Sequence, residues 1–111
     1  MAYDEELAAR IRAAVAGEGG LDERRMFGGL AFLVHGHMAV AAIGQGGLML
    51  RIDPTDAESL VDGHQVTRME MRGRELAGWL RVSAEAVATD EALAGWVGRG
   101  VAYVRTLPPK G

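Results

Sequence analysis

A chain of 111 residues with a net charge of -3 and no cysteine has the size of one domain and lacks the means to build disulfides or thiolate metal sites. The start, Met1-Ala2-Tyr3-Asp4-Glu5-Glu6, has no cationic or apolar run of a signal peptide, and no apolar stretch is long enough to span a bilayer, so a cytoplasmic protein is expected, with no membrane partner. The acidic balance argues against direct nucleic-acid binding, which draws most of its affinity from cations set against phosphate.

Tyr3 to Ala16 reads as an amphipathic helix with Leu7, Ile11 and Val15 on one stripe, Asp4 as its N-cap and Gly17 past its end. Gly17-Glu18-Gly19-Gly20 is a connector. From about Arg24 the pattern turns to strands: Leu30 to Val34 and Met38 to Ile43 flank the hairpin loop His35-Gly36-His37. Gly44-Gln45-Gly46-Gly47 leads into a third strand, Leu48 to Ile52. Asp53-Pro54 opens a short helix through about Val61. Val66 to Met71 and Gly78 to Val82 read as two more strands around a Gly73-Arg74 turn. Ser83 caps one helical turn. Thr89-Asp90-Glu91 opens a longer helix with Leu93, Trp96, Val97, Val101 and Val104 on one stripe, ended by Pro108 and Pro109. The predicted order, α-β-β-β-α-β-β-α, gives an α+β domain of two layers with a mainly antiparallel, five-stranded sheet.

The hairpin from Leu30 to Ile43 is apolar on both faces, whereas one helical layer covers only one. A second copy of the chain is the simplest further cover, so a homodimer through this sheet is expected.

Little in the sequence points to chemistry. His35 and His37 form an HxH pair of the kind that places two imidazoles on one side of a strand, but histidines in a hairpin turn are more often solvated, and no metal or other cofactor is expected. Gly28-Gly29 and Gly44-Gln45-Gly46-Gly47 match neither a Walker loop nor a dinucleotide fingerprint, and read as bulges or close backbone approaches. Arg25, Arg51, Arg68, Arg72, Arg74 and Arg81 fall on or beside strands, where pairing with Glu70, Glu75 and Asp53 across strands is the ordinary outcome and an anion-binding row the functional one. Trp96 lies on the apolar helix stripe and reads as core. Trp79 shares a strand face with Arg81 and is the better contact residue. Ser59 and Ser83 sit in no nucleophile motif.

The run Arg25-Met26-Phe27-Gly28-Gly29-Leu30-Ala31-Phe32 resembles the R-M-F-G-G-x-A-F signature of the TfoX/Sxy family amino-terminal domain. Leu48-Met49-Leu50-Arg51, Met71-Arg72-Gly73-Arg74, Gly78-Trp79, Asp90-Glu91, Trp96 and Leu107-Pro108-Pro109-Lys110 are similar to that family too, so the resemblance covers nearly the whole chain. It implies a fold like that of secretion chaperones, often dimeric. It also implies kinship with regulators of natural competence, which act with a cyclic-AMP receptor protein at promoters through protein contacts. The longer regulators carry a second, helical domain, whereas this sequence stops at Gly111, and the family brings no catalytic motif.

The resulting expectation is a non-enzymatic, dimeric protein-interaction module associated with transcription, with a contact surface drawn from Arg25, Phe27, Arg51, Arg74 and Trp79. The competing expectation is a small-ligand binder or enzyme using a groove beside the first strand.

Overall fold

The computed structural model describes residues 4–26, 28–44, 46–71 and 73–108. Its elements are α1 (Glu5–Ala14), β1 (Leu21–Met26), β2 (Gly29–Val34), β3 (His37–Ala42), β4 (Leu48–Arg51), α2 (Pro54–Leu60), β5 (Val66–Met71), β6 (Arg74–Val82) and α3 (Asp90–Val104). One sheet runs β1-β2-β3-β4-β6-β5, with every neighbouring pair antiparallel.

Each helix starts where the sequence supplies an acceptor for amides that have no partner within the helix. Asp4 accepts from the N–H groups of Glu6 and Leu7 at 2.9 and 3.1 Å, Asp53 from Thr55 at 2.9 Å, and Thr89 from Ala92 at 3.1 Å. The Ser83 hydroxyl accepts from Ala86 at 3.3 Å and opens a single 3-10 turn, Glu85–Val87.

The sheet has six strands, not five. The additional strand is β1, to which the sequence assigns no element of its own because Leu-Asp-Glu-Arg-Arg-Met shows no apolar alternation. An edge strand needs none: β1 has one neighbour, β2, and its charged side chains face solvent or pair locally. Glu23 pairs with Arg12 of α1, and Asp22 with Arg24.

The larger core lies between one sheet face and all three helices, with Ile11, Phe32, Leu50, Leu80 and Leu93 almost fully buried in it. Burial of each such side chain contributes roughly 1.5–3 kcal/mol. Gly100 lets α3 press onto the sheet. A Cβ there would stand 2.7 Å from Leu50 Cδ1 and 2.8 Å from the Ala39 carbonyl oxygen.

The second face holds its own core. Ala31, Leu33, Ala41, Ile43, Met49 and Met69 are each 7% exposed or less in the single chain, with Met26, Met38, Leu76 and Trp79 packed around them. β6 supplies part of this cover by bulging: Arg68 faces Leu80 and Glu70 faces Glu75, so the residues between crowd against Met69 alone. Gly78, at φ +79°, takes the left-handed conformation within the bulge, and Leu76 and Trp79 both reach the second core. Apolar residues on both faces therefore do not by themselves require a second copy.

Candidate interaction surface

Arg51 ends β4 and stands directly opposite Trp79 of β6. Its guanidinium carbon lies 5.3 Å from the Trp79 ring centroid and 5.7 Å from that of Tyr103 on α3. One cation thus bridges two aromatic rings, one on the sheet and one on the helical layer. The backbone holds this arrangement. Ile52 donates to the Gly78 carbonyl at 2.9 Å, and a Cβ at Gly78 would come within 3.0 Å of the Ile52 carbonyl oxygen and 3.1 Å of Pro54 Cγ.

Beside the stack, α2 and α3 enclose a cleft of about 340 Å³ lined by Ile52, Asp53, Asp56, Leu60, Arg99 and Tyr103 among others. Asp53 is held below the usual carboxylate range by the backbone N–H of Thr55 and then by the Thr55 hydroxyl. It serves as a helix cap, not as a proton donor. Asp62 is lowered in the same way by the N–H groups of Val66 and His64, and Glu23 by its hydrogen bond to Arg12. These three shifted carboxylates all serve local structure. A second cleft, about 310 Å³, lies between α1 and α3 around the Arg10–Asp90 ion pair. Neither cleft lies beside β1 or β2.

The structure brings together two of the residues picked from sequence, Arg51 and Trp79. Arg74 is exposed at the start of β6, opposite Met71. Arg25 is exposed on β1, and its row runs through Leu30 and Ala42 to Leu48, so it stands three strands across the sheet and three residues along from Arg51. Phe27 lies outside the described residues. Tyr103 escaped the sequence reading, although Trp96, Arg99 and Tyr103 recur at i, i+3 and i+7 and so share one helical face.

Arg25, Arg51, Arg68 and Arg74 do not make the expected cross-strand ion pairs, and Arg72 lies outside the described residues. Among the described residues, Arg25, Arg51, Arg68 and Arg74 have no carboxylate within ion-pair distance; the pairs formed are Arg10–Asp90, Arg12–Glu23, Arg24–Asp22 and Arg105–Glu18. Glu70 and Glu75 instead face each other. The two loop histidines are separated in role. His35 takes φ 51° in the turn, and His37 Nε2 donates to the Pro108 carbonyl at 2.6 Å, tying the segment after α3 to β3. Among the described residues no group of three His, Asp or Glu side chains is placed to hold a metal ion, and no helix is long and apolar enough to cross a membrane.

The profile of the TfoX N-terminal domain matches residues 13–103 of the 111. The chain belongs to the TfoX N-terminal domain family. No curated relative and no solved structure matches it. In this TfoX N-terminal domain the matched region takes in Arg25, Arg51, Arg74 and Trp79 and ends on Tyr103, so the whole aromatic stack lies inside it. The double glycine of the signature is backbone geometry. Gly28 adopts φ +71° between β1 and β2, and Gly29 has no room for a Cβ against the Ala42 carbonyl of β3.

Proposed function

We propose that this TfoX N-terminal domain is a non-enzymatic protein-interaction module, working as a homodimer in the cytoplasm in transcription regulation of the competence type, and that its partner docks at the Arg51–Trp79–Tyr103 end. The observation that carries the reading is the stack itself. A half-buried guanidinium without a carboxylate partner among the described residues lies against an indole and a phenol, and Trp, Tyr and Arg are the residue types that dominate binding energy at protein interfaces. The shifted carboxylates offer no competing chemistry, since each is occupied as a cap, a turn acceptor or an ion-pair member. Affinity capture from a lysate of the source cell tests this: a protein retained by the wild type and lost with Trp79→Ala and Arg51→Ala supports it, and identical captured sets contradict it.

The α2–α3 cleft favours a second reading, a small-ligand binder, because Asp56 and Arg99 line it with opposite charges over an apolar floor. A ligand displaced by Arg99→Ala but not by Trp79→Ala distinguishes it.

A further inference from the structure

β1 is an edge strand, and the hydrogen bond from the His35 N–H to the Gly20 carbonyl, 2.9 Å, fixes which of its peptide groups point away from β2. This bond continues the β1–β2 register, in which Asp22 faces Leu33 and Arg24 faces Ala31. Bonded pairs recur at every second residue of an antiparallel ladder, so Asp22, Arg24 and Met26 turn their peptide groups toward β2. Leu21, Glu23 and Arg25 turn theirs to the open edge.

In this outward row the Glu23 N–H already donates to Asp22 Oδ1 at 2.9 Å, a local bond that the carbonyl of an incoming strand replaces; the row is a template for another strand, and its charges decide which strand fits. Two-fold pairing with β1 of a second copy must oppose residues whose peptide groups both point outward, which allows only odd-numbered residues against odd-numbered ones. A register centred on Arg24 sets Glu23 opposite the second copy's Arg25, and Arg25 opposite the second copy's Glu23. Arg25 thereby gains a counter-charge; among the described residues it is exposed and has none. Glu23 accepts from Arg12 at 2.7 and 2.8 Å and keeps lone pairs for a further donor. The two Arg24 side chains that meet at the axis each carry their own Asp22 at 3.4 Å. Centring on Glu23 would leave Arg25 opposite Leu21 and only exchange Asp22–Arg24 pairs for equivalent ones. Centring on Arg25 would oppose two guanidiniums that have no counter-charge.

We infer that β1 is a self-pairing edge: a second copy of this chain adds its own β1 antiparallel, joining two six-stranded sheets into one, with a Glu23–Arg25 ion pair on each side of the two-fold axis. The inference rests on the homodimer reading above for its stoichiometry and moves the interface from the sheet face to the sheet edge.

Sedimentation velocity at micromolar concentration, with thermal unfolding to verify that each variant folds, tests it. The wild type is expected to sediment at twice the 11.8 kDa of one chain. Arg25→Glu and Glu23→Arg each set like charges opposite each other and should weaken self-association by about tenfold or more. Mixed together, the two variants restore both ion pairs and should form a heterodimer. Arg25→Pro removes an outward N–H that β2 does not use and should also give a monomer. A wild type that stays monomeric overturns both this inference and the homodimer reading. A dimer that survives Arg25→Pro, with no preference for the mixed pair, overturns the edge alone and leaves the homodimer reading to another surface.

Discussion

Arg12 on α1 reaches across to Glu23 on β1 with two hydrogen bonds, Nε to Oε2 at 2.7 Å and Nη2 to Oε1 at 2.8 Å, and fastens the first helix to the edge of the sheet. The hydrogen bond from Arg12 is the largest cause of the lowered Glu23 pKa. A depressed carboxylate contributes stability above its unfolded value, near 4.5, that is lost as the pH falls through the folded value. Arg12→Ala is expected to cost roughly 0.5–1 kcal/mol at neutral pH, the range for a well-formed surface pair. The difference from wild type should shrink as the pH falls below the ordinary glutamate range. Urea unfolding at neutral and acidic pH checks both the size and the sign.

Gly98 and Gly100 share one helix and should respond oppositely to alanine. A Cβ added at Gly98 would have nothing within 4 Å, so Gly98→Ala should stabilise by up to about 1 kcal/mol through helix propensity. Gly100→Ala meets Leu50 and the Ala39 carbonyl and should destabilise by about 1–3 kcal/mol through overpacking. Chemical denaturation of both variants decides whether α3 lies as close to the sheet as described.

The second core yields a prediction of its own. Ala41 is 1% exposed on the sheet face away from the helices. Ala41→Glu buries a carboxylate there without a partner and should cost at least about 3 kcal/mol, at every protein concentration. A cost under about 0.5 kcal/mol at high dilution would mean that the second face is open in the single chain.

The stack predicts a measurable coupling. A double-mutant cycle on Arg51→Ala and Trp79→Ala should give an interaction energy of about 0.5–1 kcal/mol in thermal or urea unfolding. Independent, additive effects would mean that the guanidinium does not rest on the indole.

The sequence is most legible where periodicity and capping agree. Asp4, Asp53 and Thr89 each cap the helix that the sequence assigns to them, because a short acceptor before an apolar stripe has few other uses. β1 is illegible because edge position replaces apolar alternation, and a charged strand paired on one side shows no strand pattern. Trp96 sits on the apolar stripe and reads as core, yet it is half-buried at the core's rim with Arg99 5.6 Å from its ring, since a stripe does not reveal where the sheet beneath it ends. The need to cover the apolar second face is legible, but the bulge in β6 that brings Leu76 and Trp79 over it depends on register, which pattern alone does not carry. The Arg51–Trp79 contact is hidden for the same reason: β4 meets β6 and not β5, and only the strand order makes the two residues neighbours.

The decisive measurement for the proposed docking end is the affinity of a captured partner for the wild type and for Trp79→Ala, Arg51→Ala and Arg25→Glu. Trp79→Ala and Arg51→Ala should weaken binding by about tenfold or more, as interface anchors do, while Arg25→Glu, across the sheet, should leave the affinity per chain unchanged. Partner binding untouched by Trp79→Ala and Arg51→Ala would contradict a docking surface at the Arg51–Trp79–Tyr103 stack.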